Sequence, residues 1–225
     1  MTGELRVALE IGPKSKKVVA VAQDWPGLAR GARTAEAAVE RLRDYVPRYA
    51  PIATGAGMEI AFEPDPEITV IEQYPGVGST DFWGISFAFS HFDQQDMTQE
   101  ELDRELTLMR ACWTFFDNAR SRVSAEMARG PRGGGRNRDQ IVRHTFVSEL
   151  DMAKKVGVRW TQDGHPSETD LTEYRDAYCA AIKAYHAEGK TARKWPLRYL
   201  IRHTAFHTLD HAWEMEDKDL ATSQR

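Results

Sequence analysis

The sequence predicts an α+β protein in which a small N-terminal α+β unit precedes an up-down four-helix bundle. Three observations predict it. Short β-branched runs crowd into roughly the first sixty residues. From Thr98 onward apolar residues recur at helical spacing. Thr98 with Glu101, Ser167 with Asp170, Gly189 and Pro196 then punctuate that stretch where helices should begin and end.

Taken in order, Val7-Ala8-Leu9-Glu10-Ile11 and Val18-Val19-Ala20-Val21-Ala22 flank Gly12-Pro13-Lys14-Ser15, which suggests a hairpin. Asp24-Trp25-Pro26-Gly27 closes the second strand as a turn. Thr34 opens a helix with Ala38, Val39, Leu42 and Val46 on one face, and residues 58–62 read as a further strand. Glu63-Pro64-Asp65-Pro66-Glu67 looks like a stiff acidic connector, since each proline biases its predecessor towards extended backbone. The first long helix carries Leu102, Leu106, Met109, Trp113, Phe116, Val123 and Met127, until a Gly/Arg loop over residues 130–136 breaks it. A second runs over about residues 139–156 with Ile141, Val142, Phe146, Val147, Leu150 and Met152 as its apolar set. The third carries Leu171, Tyr174, Tyr178, Ile182 and Tyr185, and Pro196 starts the fourth, which reaches about residue 219. These signals divide the chain into a satellite α+β unit (1–67), an irregular connector (68–97), the bundle (98–219) and a tail (220–225). Within the connector, Asp81-Phe82-Trp83-Gly84 is expected to plug the join between domains, in preference to forming a lid.

Composition narrows the function classes. A formal charge of -4 speaks against a protein that coats nucleic acid, which needs a cationic excess. No apolar run reaches the ~18 residues of a spanning helix, and no charged-then-apolar leader opens the chain. Cys112 and Cys179 are too few for a disulfide framework and read as small packed side chains, so a reducing cytoplasm is the expected location.

The chemistry centres on histidine. His203, His207 and His211 are spaced four apart on the fourth helix and form a stripe along one face. Adjacent members can grip one ion at Zn–N distances of ~2.0–2.1 Å. The outer two, ~12 Å apart along the axis, cannot. Either His203 with His207 or His207 with His211 is therefore the pair, and a facing helix must add a ligand. His144, among Ile141, Val142 and Phe146, is the best candidate for it. His91, His165 and His186 read as solvated, as does Glu149, which sits ~140–150° around the helix from His144. Asp210 and Glu214 flank His211 and can orient it, although solvated carboxylates are the commoner outcome. Arg132, Arg136, Arg138 and Arg143 surround the glycine loop, either as an anion site or, the favoured reading, as a solvated connection.

The stretch Trp195-Pro196-Leu197-Arg198-Tyr199 through His207-Thr208-Leu209-Asp210-His211-Ala212-Trp213-Glu214, with Arg143-His144 on the second helix, resembles the DinB/YfiT-like superfamily over about residues 98–219. That resemblance implies a four-helix bundle holding a divalent metal on His144, His207 and His211, with His203 outside the set. Separately, Val19-Ala20-Val21-Ala22-Gln23-Asp24-Trp25-Pro26-Gly27 followed by Thr34-Ala35-Glu36-Ala37-Ala38 resembles a HicB antitoxin-like domain, here read as a scaffold or interface module.

The DinB resemblance implies a metal-dependent transferase using a low-molecular-weight thiol of the mycothiol or bacillithiol type, or a hydrolase. A non-catalytic binding or regulatory protein is the alternative. The expected cofactor is a divalent ion, zinc first and nickel or iron next, since imidazole suits all of them. The expected partner is a small-molecule substrate, a low-molecular-weight thiol among the candidates. Neither membrane nor nucleic acid is expected, and a homodimer is allowed.

Overall fold

The hairpin forms as the sequence predicts. In the computed structural model, which describes residues 3–129, 135–161 and 167–220, β1 (Glu4–Ile11) pairs antiparallel with β2 (Val18–Ala22). A third strand, β3 (Ala29–Ala32), pairs antiparallel with β2 and has no β-branched residue to announce it. The Asp24–Gly27 turn joins them, with Gly27 at φ +93. A Cβ at Gly27 would stand 2.9 Å from Leu209 Cδ1, so only glycine fits there.

Thr34 caps α1 (Ala35–Gly55) by accepting from the Ala37 amide. The helix continues through Pro47 and Pro51 because Tyr49, Ile52 and Ala53 extend its buried face. Residues 58–62 are a turn and not a strand: Ile60 is almost wholly exposed, while Phe62 packs edge-on to Trp25. The fourth strand lies further on, as β4 (Glu67–Pro75), parallel to β1. The sheet order is β3-β2-β1-β4, a mixed sheet in which α1 makes the crossover to β4. Residues 68–75 thus belong to the sheet and not to a connector. A short helix, α2 (Gly78–Trp83), and a 3-10 turn (Phe92–Gln94) follow.

Four long helices complete this α+β fold: α3 (Gln99–Arg122), α4 (Arg138–Ala153), α5 (Glu168–Ala187) and α6 (Leu197–Asp217). Thr98/Glu101 and Ser167/Asp170 are both capping boxes, and Asn137 with Gln140 makes a third. Helix α3 stops at Arg122, so Val123 and Met127 lie beyond it, buried against Ile141, Ala212 and Met215. Helices α3 and α4 both pack on α6. Arg175 ties α5 to both α3 and α4, donating to Asp117 at 2.6 Å and to Glu149 at 3.1 and 3.2 Å.

The sheet is no satellite. One cluster of buried side chains runs from Val7 and Leu9 through Leu42 and Val46 to Leu106, Met109, Ala205 and Trp213. Val18, Ala20 and Ala22 enter that cluster, whereas Val19 and Val21 point the other way and meet Phe206 of α6. Both faces of β2 are covered, which explains its unbroken apolar run. Polar ties reinforce the join. Arg202 of α6 donates to both oxygens of Asp93, to Ser86 Oγ at 3.1 Å and to the Ala88 carbonyl at 3.2 Å. Buried Glu10 of β1 accepts from Ser86 Oγ at 2.6 Å and from the Phe87 and Ala88 amides at 3.1 Å. Residues 84–93, irregular in sequence, are thereby fixed between sheet and helix.

Candidate metal centre

Helix α6 carries the histidine stripe past β3, and α4 brings His144 to meet it. The His207 and His211 ring centroids are 4.6 Å apart; His144 lies 5.1 Å from the first and 4.9 Å from the second. One nitrogen from each ring lies within 4.8 Å of the others. That spacing is compatible with three bonds of ~2.0–2.1 Å converging on one ion after small ring adjustments.

The surroundings fit ligand chemistry. His207 Nδ1 is buried and has no hydrogen-bond partner among the described residues. Such an orphaned nitrogen is costly unless something else satisfies it. Burial, reinforced by the imidazoles of His211, His203 and His144, pushes His207 down to about 2, and burial with the Arg136 charge lowers His144. Both rings are neutral at physiological pH, the state that can donate a lone pair. His211 Nδ1 lies 2.7 Å from Glu214 Oε2, which leaves its Nε2 free. The bond to His211, with Lys218 on the other carboxylate oxygen, holds Glu214 at about 2.

His203 stands apart. It is buried one turn earlier, stacked on Tyr199 at 5.2 Å with Trp195 and Phe87 around it, and its Nδ1 is 3.3 Å from the Tyr199 hydroxyl. Desolvation lowers it to about 3.

The other candidates fall out as follows. Asp210 pairs with Arg30 at 3.2 Å, and the Arg30 guanidinium lies 3.6 Å over the Tyr45 ring, so this carboxylate anchors α6 to β3. Glu149 is buried, not solvated, because Arg175 from α5 meets it. It lines a cavity of about 290 Å³ with Phe116, Val142, Phe146 and Leu171, on a face of α4 away from His144. His186 is half-buried and lies 2.7 Å from the Met97 carbonyl, so it is not simply solvated; His91 is exposed. His165 and Arg132 lie outside the described residues. Arg138 pairs with Asp139, and Arg143 is exposed. Phe82 and Trp83 are exposed and plug nothing. Sequence reasoning missed Glu10 and Arg202, whose only signal was a charge inside an apolar run. The thiol of Cys112 is buried and pushed up by desolvation, and that of Cys179 is pushed up to about 11 by the same cause, so neither is a ready nucleophile.

Comparison of the chain with protein-family models, curated protein sequences and solved structures finds no match.

Proposed function

We propose that His144, His207 and His211 hold a divalent metal ion, zinc first, and that the protein is a metal-dependent enzyme acting on a small molecule. The observation that carries this reading is the convergence of three imidazoles around one point, one of them with a buried unpartnered nitrogen. Three protein ligands leave a coordination position open, which is the hallmark of catalytic as against structural zinc sites. An ion held there would supply Lewis acidity, lowering the pKa of a water or thiol or polarising a substrate oxygen.

The chain's own residues prepare that site. Glu214 fixes the His211 tautomer and turns Nε2 inward. Arg30 and Asp210 brace the turn of α6 between His207 and His211 against β3. The aromatic cage of Phe87, Trp195 and Tyr199 keeps water from the helix one turn earlier. Four long helices, α3 to α6, with histidine on the second and last, support the DinB-like reading. The reaction class is accordingly thiol transfer or hydrolysis. The β2, Pro-Gly turn and α1 order is likewise read as HicB-like, acting as scaffold.

Cobalt(II) loaded into chelator-treated protein tests the open position. A small thiol added to it gives a thiolate-to-metal charge-transfer band if the position is open. A spectrum indifferent to thiol, azide and cyanide alike would mean a closed site and would end the enzymatic reading.

A further inference from the structure

Phe82 and Trp83 close helix α2 with 73% and 65% of their surface exposed, whereas Trp113 and Trp213 are buried. Their rings touch edge to face, with centroids 4.6 Å apart and planes at 80°. Asp81, just before them, accepts from the backbone amides of Lys14 at 2.7 Å, Lys16 at 2.8 Å and Lys17 at 3.2 Å. On the other side of the pair, Gly84 lies against Lys17: a Cβ there would stand 3.5 Å from Lys17 Cδ. The clamp therefore sets two exposed aromatics beside the lysine-bearing tip of the β1–β2 hairpin. Lys14, Lys16 and Lys17 outnumber the single carboxylate of Asp81, so the tip is cationic on a chain whose formal charge is -4.

We propose that this tip is a docking surface for an anionic lipid bilayer. Phe82 and Trp83 enter the headgroup boundary, where an indole has both apolar and polar neighbours, and Lys14, Lys16 and Lys17 meet the phosphates. The Asp81 clamp holds the tip in shape beforehand, which spares the ordering cost of binding. Single-stranded nucleic acid fits less well. It needs cations spread along a groove and parallel ring faces for successive bases, whereas here the lysines crowd one turn and the two rings stand edge to face. None of these residues lines the cavity beside Glu149. The lack of a spanning helix among the described residues concerns crossing a membrane, not resting on one.

The test is co-sedimentation of the full chain with vesicles of phosphatidylcholine alone and of phosphatidylcholine mixed equally with phosphatidylglycerol. Binding is expected to the mixed vesicles only, falling as salt rises. Replacing all three lysines by Ala should weaken it about a hundredfold, since each is worth roughly a factor of five at an anionic surface. Phe82→Ser with Trp83→Ser should abolish it while leaving helical circular dichroism unchanged. No binding by the wild-type chain, or binding by either variant as strong as the wild type's, would overturn the proposal. So would retention of a single-stranded RNA at this tip without any binding to vesicles.

Discussion

His211 Nδ1 lies 2.7 Å from the carboxylate of Glu214, one turn further along α6, and Lys218 holds that carboxylate from its other side. A histidine so fixed presents its remaining nitrogen in one direction. Glu214→Gln keeps the shape but removes the charge and weakens this hold. Its metal affinity should fall by about 10–100-fold. Competition with a fluorescent chelator measures it; an unchanged affinity would show that Glu214 serves only the surface.

The sheet and the long helices share one core, and this bears on truncation. Removing residues 1–62 takes Leu42, Val46, Tyr49 and Ile52 out of the core that they share with side chains of α3 and α6. Each buried side chain of this size is worth ~1.5–3 kcal/mol. A whole domain is stable by only ~5–15 kcal/mol. The truncated chain should therefore be insoluble or unfolded. A soluble fragment with a cooperative thermal transition would contradict the shared core.

Arg175 and Glu149 form a buried ion pair with Asp117 beside it. Removing one partner strands the other charge in the core. Arg175→Met should cost ~3–5 kcal/mol by urea denaturation. Adding Glu149→Leu to it should restore part of that loss, because no unpaired charge at position 149 then remains. A double variant less stable than the single one would contradict the pairing.

His203 is held neutral by burial at about 3, well below the ~6.5 of an unfolded chain. Between those values the unfolded state binds a proton that the folded state refuses, so stability rises with pH across that window. Acidification from pH 6 to pH 4 should thus cost up to ~1.4 kcal/mol per pH unit through this residue. His203→Phe, which suits the cage of Phe87, Trp195 and Tyr199, should flatten that slope in metal-free protein. Parallel pH profiles for the two chains would sink this account.

Much of this was legible in the residues. The β1–β2 hairpin follows from β-branched runs around Gly12-Pro13, and the helix starts at Thr34, Thr98 and Ser167 follow from their capping side chains. The histidine stripe needed only the helical repeat, although choosing among its members needed the resemblance. What escaped depends on contacts distant in sequence. Strand β4 is half-exposed, pairs on one side only and follows Pro64 and Pro66, so it lacks the alternation that marks a strand. Glu149 looked solvated because its partner Arg175 lies 26 positions away. Glu10 is buried only because residues 80–88 fold back over it.

The central claim is that three particular histidines hold the ion. Metal per chain, measured on untagged wild-type protein and on His144→Ala, His207→Ala, His211→Ala and His203→Ala, tests it most directly. The account predicts near-stoichiometric metal in the wild-type and His203→Ala chains. It predicts a steep loss in the other three, with helical content retained in all. Metal lost from His203→Ala but kept in His211→Ala, or no metal in the wild-type chain after dialysis against zinc, would contradict it.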